Sequence, residues 1–245
     1  MLLLLPPSET KRDGGADATA LDLAALGFPE LTPQRRAVIA ALRRLSRNVG
    51  ASMTALGLGP TQRFEVDRNR AVTASPVMPA LDRYTGVLYD GLDAATLSGA
   101  QREFVGRHLV IHSALFGPLG GLDPIPAYRL SHDSRLPGLP LRRHWKDAVR
   151  GVLAEREGLV LDLRSEAYAH LGPAPGSWYL RVLSQGEDGR RTALSHFNKK
   201  AKGEFTRAVV TAGVVHPDTD SLIAWATNMG IFLEYGAPGE LDLVV

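Results

Sequence analysis

The sequence contains no cysteine. Disulfides, iron–sulfur clusters, cysteine-ligated zinc and redox sensing through a thiol are therefore excluded. No apolar run approaches the roughly 20 residues that a membrane-spanning helix needs. The opening run of leucines is also too short for the apolar region of a signal peptide. The sequence therefore indicates a cytoplasmic protein that does not bind a membrane.

Several common catalytic motifs are also missing. The chain has no GxSxG, Walker A or Rossmann glycine pattern and no HExxH motif. The usual signatures of α/β-hydrolases, P-loop NTPases, dinucleotide-binding enzymes and zinc proteases are therefore absent. His108 and His112 have the spacing of a helical metal pair, but they lie in a strand-like run. We predict no metal site and no cofactor.

Lysine is scarce. Only five of the 28 basic residues are lysine, and three of these lie in the tetrapeptide from Lys199 to Lys202. No Lys or Arg follows Arg207, so residues 208–245 form an acidic C-terminal segment. The overall net charge of +2 therefore hides a more basic region in residues 1–207.

Short apolar runs alternate with helical patterns along the chain. Leu2 to Leu5 are predicted to form a strand buried on both faces, which Pro6 and Pro7 end. Further strands are predicted at residues 108–113 and 159–163, a hairpin at 177–184 and 192–197, a strand or helix at 222–226 and a final strand at 231–235. Helices are predicted from Thr32, over 142–156 and from Asn198 to about Thr211. This alternation predicts an α/β fold with a mixed sheet flanked by helices.

The helix from Thr32 carries many arginines beside its apolar face: Arg35, Arg36, Arg43, Arg44 and Arg47. Such a basic face can contact a polyanion, but a solvated face is the favoured interpretation.

Polar residues follow three of the predicted strands. The leucine run leads into PPSETKR, the 159–163 run into RSEAY, and the 192–197 run into NKKAKGEFTR. If these strands lie side by side and point the same way, their loops converge on one pocket, where ligands of open α/β sheets tend to bind.

The strongest local signal is HFNKKAKGEFTR. Lys199, Lys200, Lys202 and Arg207 lie in the first turns of the predicted helix, where the helix dipole opposes cations. Free N–H groups at a helix N-terminus also attract anions, so a phosphate is the expected ligand. The alternative is a solvated basic turn in which Lys199 or Lys200 pairs with Glu204.

Weaker signals come from three other segments. Ser165, Glu166 and Tyr168 could take part in chemistry, although Ser165 could equally be a helix N-cap. Residues 84–86, Tyr-Thr-Gly, are expected to form a packing turn. His132 and Asp133 could form a base and its orienting acid, but exposed loop residues are the favoured interpretation.

Taken in order, the segments PPSETK, YTGVLYDGL, HLVIHSALFGPLGGLDPIPAYRL, DLRSEAY and HFNKKAKGEFTR resemble the YaaA-type peroxide stress protein family over about residues 2–207. The resemblance implies one compact α/β domain over residues 1–245, with the acidic segment packed on it. It also implies a helix-hairpin-helix-like segment and a positively charged cleft. Members are associated with protection from hydrogen peroxide, with lower intracellular free iron and with DNA binding.

The resemblance also implies site residues. The predicted DNA- or phosphate-binding residues are Ser8, Thr10, Lys11, Ser113, Gly117, Gly120, Arg129, Ser165, Lys199, Lys200, Lys202 and Arg207. If the protein is an enzyme, the predicted catalytic residues are Lys199, Glu166, Tyr168 and Arg129. Two segments depart from the family pattern: Ser8-Glu9-Thr10 replaces a common Ala-Lys-Thr, and Ser131-His132-Asp133 replaces a common Glu-Met-Gly.

Two functions remain open at this point. The first is a stress protein that binds double- or single-stranded DNA mostly non-specifically and limits iron-dependent, Fenton-type damage. The alternative is a lyase or hydrolase acting on a nucleotide, nucleobase or other phosphorylated small molecule in the same cleft. Arg129 and Glu166 within one deep pocket would favour the enzyme, whereas the same residues spread along a groove would favour DNA.

Overall fold

The computed structural model describes residues 1–185, 191–193 and 198–245. Its strands are β1 (Leu2–Leu5), β2 (Met78–Pro79), β3 (Leu109–Ser113), β4 (Gly117–Gly120), β5 (Pro124–Ile125), β6 (Val160–Asp162), β7 (Trp178–Gln185), β8 (Arg191–Ala193), β9 (Phe232–Tyr235) and β10 (Glu240–Val244). Its α-helices are α1 (Thr32–Leu45), α2 (Val49–Ala55), α3 (Phe64–Arg70), α4 (Ala80–Arg83), α5 (Val87–Leu92), α6 (Gly99–His108), α7 (Leu141–Ala154), α8 (Glu166–Leu171), α9 (Asn198–Ala212) and α10 (Thr219–Asn228).

The main sheet is mixed, and its strands follow the order β4-β3-β1-β6-β7-β10-β9, with β8 paired to β7. The five central strands, β3, β1, β6, β7 and β10, run parallel to one another. β4, β8 and β9 pair antiparallel with their neighbours. Helices flank this sheet in a single compact α/β domain, as predicted. No helix of the described residues is long and apolar enough to cross a membrane.

The leucine run occupies an interior position in the sheet. β1 lies between β3 and β6, and Leu3 is opposite Leu109 on one side and Leu161 on the other. Leu3, Leu4 and Leu5 are no more than 1% exposed. The prediction of a strand buried on both faces is confirmed, and the loop at Pro6 therefore starts from a rigid base.

One assumption about strand direction was wrong. β6 does run parallel beside β1. β8, however, runs antiparallel to β7 and does not neighbour β1 or β6. The short hairpin from β7 forces this reversal, because a tight turn can join only antiparallel strands. Residues 194–197 of the predicted strand lie outside the described residues.

The basic face predicted for α1 was partly wrong. Arg35 is fully buried, and its guanidinium donates to the carbonyl oxygens of Phe116 at 2.8 Å, Pro118 at 2.8 Å and Gly27 at 2.7 Å. Arg35 therefore ties α1 to the β4 hairpin. Arg43 and Arg44 of α1 line a surface groove, together with Arg47, which follows the helix, and Arg70.

The helix-hairpin-helix-like segment is not confirmed. The glycine-rich stretch after β3 forms β4, which pairs with β3 as a hairpin of the main sheet. Gly117 has a φ of +68°, and a Cβ there would lie 2.8 Å from the ring of Trp145 on α7. This glycine is required because both the backbone conformation and the close approach of Trp145 exclude a side chain.

Candidate functional site

A cavity of about 500 Å³ lies where the loops after β1 and β6 meet the start of α9. Its wall consists of Pro6, Pro7, Ser8, Glu9, Thr10, Thr85, Gly86, Val87, Leu88, Tyr89, Leu130, Ser131, His132, Leu163, Ser165, Tyr168, Asn198, Lys199 and Lys202. This is the carboxyl end of the parallel strands, where open α/β sheets bind their ligands. The structure thus brings together the three polar loops that follow the predicted strands.

One side of the cavity is a cluster of hydroxyl groups. The Ser8 and Thr10 hydroxyl oxygens are 3.2 Å apart, and the Thr85 hydroxyl donates to Thr10 Oγ1 at 3.0 Å. Gly86, with a φ of +99°, lies beside them, and a Cβ there would be 3.4 Å from Ser8 Oγ. Hydroxyls both donate and accept hydrogen bonds, so this wall suits phosphate oxygens or the polar edge of a base.

The cavity wall also carries a buried lysine. Lys202 is 3% exposed, and its Nζ donates to the Arg164 carbonyl oxygen at 3.3 Å. The ammonium group also lies 4.9 Å from the centroid of the Tyr179 ring. Burial lowers the pKa of Lys202 to about 8, although the charge of Asp162 opposes this shift. A fraction of the amine is therefore neutral near physiological pH.

A buried ion pair lies next to Lys202, behind the cavity wall. The Arg164 guanidinium is fully buried and donates Nε–H to Asp162 Oδ1 at 2.8 Å and an Nη2 hydrogen to Asp162 Oδ2. Its Nη1 donates to His112 Nδ1 at 2.8 Å and to the Gly172 carbonyl at 2.7 Å. Burial and the neighbouring Arg164 lower the pKa of His112, so its imidazole is neutral and accepts through Nδ1. This network fixes the segment that leads into α8, whose N-cap is Ser165 and which carries Tyr168.

Lys11 lies behind the cavity and not on its wall. Its Nζ donates to the Ser8 carbonyl at 2.9 Å and the Glu9 carbonyl at 3.2 Å. The same Nζ lies 4.1 Å from the centroid of the Tyr128 ring. Burial lowers the pKa of Lys11 to about 7. Lys11 therefore shapes the Ser8–Thr10 loop from beneath.

This burial predicts a pH-dependent effect of Lys11→Met. The pKa of Lys11 is about 7 in the folded state and 10.5 in an unfolded chain, so between these values the unfolded state binds more protons. Wild-type stability therefore rises with pH in this window, and the full penalty of a buried ammonium is present below pH 7. We expect the stability of Lys11→Met relative to wild type to be most favourable below pH 7 and to fall as the pH rises to about 10.

Urea denaturation at several pH values measures this difference. Lys146→Met, which alters an exposed lysine on α7, is the control and should show no comparable trend. A difference between wild type and Lys11→Met that does not change with pH would contradict the burial of the ammonium.

Arg129 also lies behind the wall. Asn69 holds its backbone through two hydrogen bonds of 2.8 Å, and its Nη2 donates to Glu9 Oε2 at 2.6 Å. The Arg129 side chain is 10% exposed, whereas that of Glu9 is 61% exposed. A ligand therefore meets Glu9 before it meets Arg129, and Arg129 acts on the cavity through that carboxylate.

Three predicted site residues face away from the cavity. Glu166 is exposed, and its carboxylate is 3.8 Å from Arg181. Lys200 pairs with Glu204 at 3.4 Å, which is the alternative that the sequence left open. Arg207 donates to the carbonyl oxygens of Leu92 at 2.9 Å and Asp93 at 3.0 Å, at the end of α5.

Residues of the β3–β4 hairpin are also outside the cavity wall. Ser113 Oγ accepts from the backbone N–H groups of Leu115 and Phe116 at 3.0 Å each. The N–H of Gly120 donates to Asp123 Oδ2 at 2.9 Å. The Ser113 hydroxyl and the Gly120 N–H are therefore already hydrogen-bonded within this segment. Phosphate binding by Ser113, Gly117 and Gly120 stays a prediction.

Some wall residues were not predicted as site residues. Thr85 and Gly86 were expected to form a packing turn, and Val87 and Leu88 were not assigned a role, although all four belong to the YTGVLYDGL segment of the resemblance. His132 lines the cavity, and its ring centroid is 5.2 Å from that of Tyr168. Its partner in the predicted base–acid pair, Asp133, is exposed and lines the neighbouring groove. Among the described residues, no cluster of three or more His, Asp or Glu could hold a metal ion.

Comparison with known proteins gives the family. Residues 1–227 match the family described as peroxide stress protein YaaA. The chain belongs to this family. It is 44% identical over 252 residues to a UPF0246 protein of Corynebacterium efficiens, with 100% of both chains covered. It is 41% identical over 239 residues to a UPF0246 protein of Corynebacterium glutamicum, covering 96% of this chain and 95% of the relative. A Streptomyces coelicolor relative is 37% identical over 246 residues, covering 98% and 94%.

Proposed function

We propose that this member of the peroxide stress family binds a small phosphorylated molecule, such as a nucleotide, in the cavity. The observation that carries the proposal is a partly open cavity of about 500 Å³ with a buried lysine, Lys202, in its wall. Cavities of roughly 300–1,000 Å³ are typical of small-molecule sites. A duplex is far too wide for such a space, so DNA is the weaker candidate for the cavity itself.

The cavity wall offers both polar and apolar contacts to a ligand of this class. Lys199 and the hydroxyls of Ser8, Thr10 and Thr85 offer cationic and neutral donors to phosphate oxygens. Leu88, Leu130 and Leu163 supply the apolar surface that a nucleobase or similar group requires. A lyase or hydrolase acting on such a ligand is the enzymatic form of this proposal.

Lys199→Ala should weaken binding of adenosine monophosphate about tenfold or more, because a charge-assisted hydrogen bond contributes roughly 1.5–3 kcal/mol. Lys200→Ala is the matched control, since its side chain pairs with Glu204 and does not line the cavity. Isothermal titration calorimetry at low salt measures both. Equal losses in the two variants, or no binding by the wild type, would count against the cavity.

DNA binding is the second candidate, and a surface feature supports it. Arg43, Arg44, Arg47 and Arg70 line one groove on the outside of α1 and α3. Lys199 and Lys200 are also exposed. We infer that non-specific contacts to DNA phosphates would use these cations, and that such binding would serve to limit iron-dependent oxidative damage, in keeping with the family.

Fluorescence anisotropy with labelled duplex and single-stranded DNA tests this candidate. Affinity should fall steeply with salt, by roughly 0.9 log unit per log unit of salt for each phosphate neutralised on a duplex. A variant carrying Lys199→Ala with Lys200→Ala should flatten this slope, as should a variant carrying Arg43→Ala with Arg47→Ala. If neither does, the DNA contacts lie elsewhere; if wild type does not bind at low salt, the candidate fails.

A further inference from the structure

Lys202 has fewer hydrogen-bond partners among the described residues than a charged lysine can use. An ammonium group has three N–H donors. The Nζ of Lys202 has one hydrogen-bond acceptor among the described residues, the Arg164 carbonyl at 3.3 Å. The neighbouring carboxylate of Asp162 is held through both of its oxygens by Arg164. A buried amine without its own counter-ion is more stable in the neutral form, which keeps a nucleophilic lone pair.

None of the other four lysines is both buried and part of the cavity wall. All five lie in the described part of the chain. Lys11 is equally buried, but it holds two backbone carbonyls behind the Ser8–Thr10 loop and is not part of the cavity wall. Lys146, Lys199 and Lys200 are exposed. Lys202 thus combines burial with a place on the cavity wall.

We propose that Lys202 forms an imine with the carbonyl group of an aldehyde or ketone ligand that also carries a phosphate. This inference rests on the proposed function, because the phosphate would occupy the side of the cavity near Lys199 and the hydroxyl cluster. It adds a covalent step, and therefore a lyase-type or carbonyl-transforming chemistry, to simple binding.

The step balances without any other reagent. The neutral amine of Lys202 attacks the carbonyl carbon, a C–N bond forms, and the carbonyl electron pair moves to oxygen. Transfer of a proton from nitrogen to that oxygen gives the carbinolamine. Protonation of its hydroxyl group and departure of water then break the C–O bond and leave the protonated imine. Loss of its N–H proton gives the imine, so that no net proton is consumed. His132 and Tyr168 line the same cavity and carry groups able to relay these protons.

The experiment uses the full chain and two matched probes, pyridoxal 5′-phosphate and pyridoxal, which share an aldehyde but differ in the phosphate. Sodium borohydride reduces any imine to a stable secondary amine, and peptide mass spectrometry identifies the modified lysine. We expect the phosphorylated probe to modify Lys202 about tenfold or more faster than the exposed Lys146 near neutral pH, because Lys202 lies in the cavity wall and burial keeps part of its amine neutral. Inorganic phosphate should slow this reaction.

The pH profile and one variant add independent readouts. The rate at Lys202 should rise and then level off above about pH 8, following its lowered pKa. Lys202→Met should lose the rapid modification while keeping a cooperative thermal transition.

The outcomes separate this inference from the proposed function. Rapid modification of Lys202 that is equal for both probes and insensitive to phosphate supports the imine but removes the phosphate site. Protection of the protein by phosphate with modification confined to Lys146, Lys199 or Lys200 overturns the imine and leaves the phosphate site. Modification of Lys11 as fast as Lys202 also overturns it, because the reaction would then report opening of the fold and not a cavity lysine.

Discussion

Gly203→Ala should lower the free energy of unfolding by at least about 2 kcal/mol and abolish ligand binding in the cavity. A Cβ at Gly203 would lie 2.1 Å from the Leu88 carbonyl oxygen and 2.9 Å from the Leu88 carbonyl carbon. Both are backbone atoms, so no side chain can move aside, and α5 and α9 must separate. These helices carry Leu88 on one side of the cavity and Lys199 and Lys202 on the other.

Gly151→Ala is the matched control for this substitution. Gly151 lies within α7, and a Cβ there would meet no atom within 4 Å. Alanine is a better helix former than glycine, so this variant should gain roughly 0.5–1 kcal/mol. Urea denaturation followed by circular dichroism measures both variants. A Gly203→Ala variant as stable as wild type would contradict the close contact between α5 and α9.

Arg164→Met should destabilise the protein by about 3–5 kcal/mol, because it leaves the carboxylate of Asp162 buried without its partner. Asp162 is 3% exposed, and Arg164 supplies two of its side-chain hydrogen bonds and a backbone N–H at 3.0 Å. The loss also frees the Gly172 carbonyl and His112 from their shared donor. The start of α8, which carries Tyr168, would then no longer be fixed.

Two comparisons make this prediction specific. A double variant carrying Asp162→Leu with Arg164→Met should recover part of the loss, since no unpaired charge remains buried. Arg181→Met breaks a more exposed ion pair with Glu240 and should cost no more than about 1 kcal/mol. Thermal and urea unfolding measure all three. Similar losses for Arg164→Met and Arg181→Met would show that the buried pair contributes no more than a surface pair.

The parts of the fold that depend on local patterns were predictable from the sequence. The continuous apolar run of β1 and the amphipathic pattern of α7 both gave the correct element to within a few residues. Sheet neighbours depend on contacts between distant residues, which is why β10 was missed. The reversal of β8 follows instead from the predicted hairpin with β7, and it contradicts the assumption that β8 points the same way as β1 and β6. The burial of Arg35 was missed for the same reason, since its acceptors come from Gly27 and the β4 hairpin.

Some residues of the candidate site were also predictable from local patterns, and others were not. Ser8, Thr10, Ser165, Lys199 and Lys202 all reach the cavity wall, as the convergence of loops requires. Lys199 and Lys202 are three residues apart and share a helix face, whereas Lys200 is one residue on and points elsewhere. Helical spacing could therefore have separated these lysines before the structure was known. The contribution of residues 85–88 comes from packing of α5 on α9, which no local pattern reveals.

The central claim is that the cavity receives a small phosphorylated or otherwise anionic molecule. The most direct measurement is nuclear magnetic resonance of ¹⁵N-labelled protein titrated with inorganic phosphate and then with adenosine monophosphate. We predict saturable shifts of the amide signals of Ser8, Thr85, Gly86 and Lys199, with smaller or no shifts at Arg43 and Arg47. Shifts confined to the arginine groove, or no saturable shifts at all, would contradict the account.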